Sequence, residues 1–154
     1  MASEYRQALN VARAELEKLE EQREETDNRI AQLKQTIVSL ATLCKDKTFL
    51  AAWAKDIEAA GITENCREVL RAAPIALTPL EVKDGLLKMG LDASKYTNLL
   101  ASIHSVLKRL VESREARPVD CEDGTVAYKW RRHRRWTMEQ PPPFAPSFDL
   151  DKKK

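Results

Sequence analysis

Glycine is scarce in this chain: four occur among 154 residues, and neither Gly nor Pro precedes Gly61. A Gly-rich phosphate loop is thereby excluded, and nothing of that kind interrupts a helix in the first sixty residues. Cysteine is equally sparse. Cys44, Cys66 and Cys121 lie far apart and form no C-x-x-C pair, which argues against a disulfide framework or a zinc site and suits a reducing compartment. Only two histidines occur, His104 and His133. With them no Ser-His-carboxylate arrangement, paired-carboxylate site or metal-spaced cluster assembles, so neither catalysis nor a cofactor or metal is expected. No apolar run approaches the roughly 18 to 20 residues that span a bilayer. The opening "MASEYRQALN" lacks the basic and apolar regions of a signal peptide. A cytoplasmic protein without membrane contact is the expectation, nucleoid-associated if it binds DNA.

What is abundant is charge, at 32% of residues against 6% aromatics. Such a balance suggests a small core joined to something long and solvated. Net charge is only +2, but its distribution is uneven. Residues 1–60 hold 9 Lys/Arg against 11 Asp/Glu, whereas residues 116–136 hold 6 against 3. A late basic excess of this kind marks a polyanion-facing surface.

From Leu9 the apolar positions step by three and four. Taking Leu9 as position a places Leu9, Leu16, Arg23, Ile30, Ile37 and Cys44 at a, with Ala12, Leu19, Thr26, Leu33 and Leu40 at d. A lone helix drifts about 20° per heptad, so a register held this long predicts a coiled coil. Leu9, Leu16, Leu19, Ile30, Leu33, Ile37 and Leu40 are its oligomerisation residues. In a parallel homodimer Glu15 faces Glu20 and Arg29 faces Lys34, both like-charged, so a reversed or heteromeric pairing relieves some repulsion. Residues 48–60 are expected to prolong the helix, with Phe49, Trp53 and Ile57 as packing anchors and Gly61 as its end. The first unit therefore covers residues 1–60.

A compact unit over residues 61–136 follows. Thr63 opens a helix that "PIAL" breaks. Thr78, Pro79 and Glu81 make a capping box for a second helix ending at Gly90, and Thr97 or Asn98 opens a third that runs to about Ser113. "ARPVDC" and "VAYKW", joined through Asp-Gly, read as a β-hairpin. The predicted fold is mainly α: a long N-terminal coiled-coil helix, then a small α+β body with a hairpin. Residues 137–154, with Pro141, Pro142, Pro143 and Pro146, read as an extended tail.

The order of these elements, together with "LTPLEVKDGLLKMG" and "SKYTNLLASIHSVLKRL", resembles bacterial winged helix-turn-helix domains and is similar to the HARE-HTH group. The likeness covers about residues 61–130. It implies a DNA-binding fold whose third helix enters the major groove. Arg114 departs from the pattern, standing where a turn-forming Gly would be comfortable.

On that third helix Leu99, Ile103, Val106, Leu107 and Leu110 form the core stripe. Asn98, Ser102, Ser105, Lys108 and Arg109 fall opposite, short polar groups first and cations last, the profile of a groove-entering helix and equally of a solvated face. Asn98 is placed to read adenine, and Ser102 and Ser105 to bond bases or backbone. Lys95, Tyr96 and Thr97 precede the helix, where its dipole favours phosphate. His104 is expected beside the stripe, half-buried. In the hairpin and its exit, Lys129, Arg131, Arg132, Arg134 and Arg135 interleave with Trp130 and Trp136, a basic-aromatic cluster suited to a DNA backbone or a minor groove and otherwise a solubilising flank. The partner expected is double-stranded DNA, gripped by chains associated with themselves or with a heterologous helix. The rival class is a non-enzymatic adaptor whose coiled coil binds a partner helix and whose compact unit contacts protein.

Overall fold

A computed structural model describes residues 1–131 of the chain. Four helices and one hairpin follow in order: α1 (Ala2–Cys44), α2 (Lys47–Ala72), α3 (Pro79–Lys88), a 3₁₀ turn (Ala93–Lys95), α4 (Leu99–Glu112), β1 (Ala116–Asp120) and β2 (Val126–Trp130). The proline-rich tail, Arg132, Arg134, Arg135 and Trp136 lie outside the described residues.

The expected unbroken helix to residue 60 is divided. Lys45 adopts a left-handed conformation at φ 55°, and its N–H and that of Asp46 close the last turn of α1 by bonding Thr42 and Ala41 carbonyls. Asp46 then caps α2, its carboxylate accepting from the Phe49 N–H at 3.0 Å. A two-residue reversal without Gly or Pro folds α1 back along α2. Short-range bonds of the Schellman and N-cap kinds satisfy the orphan groups that a helix end leaves.

Gly61 breaks α2 at φ 80° and ψ 164°, close to its expected place. Asn65, 2% exposed, donates its side-chain amide to the Ile57 carbonyl at 2.8 Å and so satisfies a group stranded by the break. The second half of α2 supplies Cys66, Val69 and Leu70 to the core. Burial pushes the Cys66 thiol up to about 12. α3 starts with the predicted capping box, Thr78 and Glu81 serving each other's backbone N–H. It then packs against α2 so closely that a Cβ at Gly85 would sit 2.9 Å from Val69 Cγ1.

Asn98 caps α4, whose apolar stripe closes the core at 0–6% exposure. Arg114 takes a left-handed φ of 62° just after the helix. The hairpin is antiparallel, with Ala116 opposite Trp130 and Arg117 opposite Lys129, and its turn spans Cys121 to Thr125. "PIAL" contributes one antiparallel bridge, Leu77 to Tyr128, with hydrogen bonds of 2.8 and 2.7 Å. Arg67 of α2 grips Glu115 at the foot of β1 through two bonds, of 3.0 and 3.2 Å.

α1 docks on this body along one side. Ala31 and Val38 are buried, Lys34 pairs with Glu68 at 3.4 Å, and Glu24 accepts from the Trp130 indole N–H at 2.7 Å. The heptad positions face elsewhere. Leu9, Leu16, Leu19, Ile30, Leu33, Ile37 and Leu40 remain 44–55% exposed.

Candidate nucleic-acid interface

The polar side of α4 divides into groups already engaged and groups left open. Asn98, expected to read a base, spends its Oδ1 on the Ala101 N–H at 3.1 Å, as an N-cap must. Its amide nitrogen and a second Oδ1 lone pair are left for a ligand. Lys95 is ion-paired with Glu58, and that hydrogen bond is the chief reason its ammonium titrates above the ordinary lysine range. Tyr96 packs against the core. The segment before the helix thus serves the fold, with Thr97 exposed between its two engaged ends.

Further along, Ser102 and Ser105 donate their hydroxyls to the carbonyls of Asn98 and Ala101, at 3.2 and 3.1 Å. Each keeps oxygen lone pairs for an outside donor. Ser105, Lys108 and Arg109 are exposed, whereas Ser102 is half-buried. No carboxylate among the described residues pairs with Lys108 or Arg109. His104 is fully on this outer side, exposed beside Ser105 and not half-buried as expected. The core stripe is complete without it, because Leu100 and Val111 flank the buried positions.

The hairpin's cations sit in a different setting from the one their sequence suggests. Lys129 and Arg131 line a cleft of about 820 Å³ between α1, the end of α2 and the hairpin. Arg29, Arg71 and Arg117 join them there, against a single carboxylate, Glu25. No residue of α4 lines this cleft. Trp130 forms part of its wall: Arg71 lies over the indole at 4.6 Å from the ring centroid, and Glu24 holds the indole N–H. Such stacking orients the guanidinium while leaving its edge to bond. Arg71 Nε and Asn28 Oδ1 are both buried here without a hydrogen-bond partner.

Five cations thus line the cleft beside one lining acid, with Arg71 also paired to Glu64 at 3.8 Å. Sequence reading found two of the five. Arg29, Arg71 and Arg117 come from three separate segments, and only the fold-back of α1 brings the first of them to the hairpin.

No family model matches this chain, and no curated protein or solved structure matches it significantly. Among the described residues no group of three or more His, Cys, Asp or Glu is placed to hold a metal ion, and no helix is long and apolar enough to cross a membrane.

Proposed function

We propose that the chain is a DNA-binding protein, a transcriptional regulator or architectural factor, in which α1 joins copies and a winged-helix body meets the duplex. The observation that carries this reading is the division of α4. Its stripe is consumed by the core, and its outer side carries Ser105, Lys108 and Arg109, all exposed, with no partner acid among the described residues. The order of α2, the Leu77 bridge, α3, α4 and a hairpin supports the winged-helix assignment. In this reading α4 enters the major groove. The cleft cations Lys129, Arg131 and Arg117, continued by Arg132, Arg134 and Arg135, track phosphates.

Selection from a random duplex pool at two salt concentrations tests it. Enrichment of a motif is expected, with log affinity falling by about 0.9 per phosphate neutralised for each unit of log salt. Lys108→Glu with Arg109→Glu should weaken binding at least tenfold. Absence of binding even at low salt overturns the reading.

One observation favours the adaptor reading instead: Lys129 and Arg131 face a cleft closed on one side by α1, and the apolar seam of α1 is open. Under it, Lys108→Glu with Arg109→Glu leaves partner assembly intact, while Leu33→Glu in the α1 seam abolishes it.

A further inference from the structure

We infer that the occupant of the open α1 seam is a second copy of α1 running antiparallel, in the register that sets Leu16 opposite the partner's Leu33. This rests on the self-association in the reading above and adds the identity, direction and register of the partner helix.

The argument starts from which side of α1 is taken. Ala31, Val38, Lys34 and Glu24 face the chain's own body. The a and d residues are half-exposed on another side, so the seam is accessible along the whole helix. Its weak point is the polar layer at Arg23 and Thr26, both exposed. A charge at a core layer needs a polar neighbour, and this requirement discriminates among pairings. A parallel pair sets Arg23 on the partner's Arg23 across the axis. An antiparallel pair places an a residue opposite a d residue. In the register proposed, Arg23 meets the partner's Thr26 on both sides of the two-fold axis. Leu9 then meets Leu40, Leu16 meets Leu33, and Ile30 meets Leu19. Every other layer is apolar, and the whole of α1 is used. Sliding the pair by one heptad puts Arg23 against Leu19 in one direction and Leu33 in the other, a charge in an apolar layer.

Flanking charge moves its conflicts without reducing their number, so the polar layer decides the direction. The parallel arrangement brings together Glu15 with Glu20 and Arg29 with Lys34. The reversed one sets Glu15 near Thr36 and Gln22 near Arg29, removing both conflicts on that flank. On the other flank it juxtaposes Arg13 with Lys34 and Glu20 with Asp27. There Lys34 is already paired to Glu68 at 3.4 Å, which offsets part of its repulsion from Arg13. Over the longer range, residues 28–44 carry two cations and no acid, and they lie opposite residues 5–21 of the partner, which carry four acids and three cations.

The native Cys44 thiol, exposed at the end of α1, reads the direction. In the Cys121→Ser chain a nitroxide on Cys44 is expected to lie about 58 Å from its copy, since 39 residues at 1.5 Å each separate Cys44 from the layer of the other Cys44. A parallel pair would hold the two labels across one interaxial spacing of about 10 Å. Buried Cys66 does not compete for the label.

Register is read by oxidising a mixture of two differently tagged chains, one Leu16→Cys and the other Leu33→Cys, both carrying Cys44→Ser and Cys121→Ser. Disulfides between the two chains support the proposal, and disulfides only within each kind overturn it. A sedimentation mass of one chain at high concentration overturns self-pairing altogether. Duplex selection, run separately, then decides the DNA reading on its own.

Discussion

α4 and α1 are both amphipathic, and their apolar residues meet opposite fates. In α4 the stripe is sealed at 0–6% exposure, whereas in α1 the heptad residues stand 44–55% exposed. The difference lies in what the rest of the chain covers. α4 presents Ile103, Val106, Leu107 and Leu110 to α2, α3 and β1, which close over them. α1 offers its own body the side bearing Ala31 and Val38, and the 3.5-residue seam is left over. One helix is therefore a finished part of a core and the other is half of an interface, although each carries a comparable row of leucines and isoleucines.

Paired truncations break or sharpen this contrast most strongly. Leu107→Ala should cost about 2 to 5 kcal/mol in denaturant unfolding, as deletion of a fully buried leucine does. Leu33→Ala should change monomer stability by less than about 1 kcal/mol while shifting the association midpoint. Equal losses in dilute protein would show that the α1 seam is covered within one chain, and the contrast would fall. Next in size is Trp130→Phe, which keeps a ring under Arg71 but deletes the bond to Glu24. About 1 kcal/mol is expected, together with faster amide exchange in α1. Unchanged exchange would mean that the Trp130–Glu24 bond does not help to hold α1.

The smallest effect concerns the foot of the hairpin. Burial raises the Glu115 carboxyl, but bonds from Arg67 and Ser113 and the nearby guanidinium charges together outweigh it, leaving its pKa below the ordinary carboxylate value. A carboxylate depressed on folding stabilises fully above its unfolded pKa, and that contribution is lost as pH falls through the folded one. Glu115→Gln should therefore flatten the acid limb of the stability curve by about 0.5 kcal/mol, given two partly exposed partners. An unaltered limb would remove the pair from the account.

Much of this was legible residue by residue. The stripe of α4, the Thr78–Glu81 box, the Asn98 cap and the Asp-Gly hairpin are local patterns, and local hydrogen bonding enforces them. The reversal at Lys45–Asp46 was not, because a left-handed lysine carries no compositional mark. Asp46 three residues before Phe49 was its one available signal, that of an N-cap. The docking side of α1 hid behind the stronger heptad: Ala31 and Val38 are seven apart too, but small or single, and Glu24 reads as one acid among many. Of the interface residues, Asn98 and Lys95 looked free only because their partners, a backbone N–H and Glu58, are supplied by the fold. The cationic cleft depends on Trp130 meeting a glutamate 106 positions away, which no window of sequence contains.

Cys66 and Cys44 together give the molecule an internal clock. Cys44 is open to solvent, while Cys66 is completely enclosed and held protonated by its surroundings. A thiol reagent therefore labels the first at its chemical rate and the second only in the instants when the core parts. The ratio of the two rates is the population of the opened body, read from unmodified protein without denaturant.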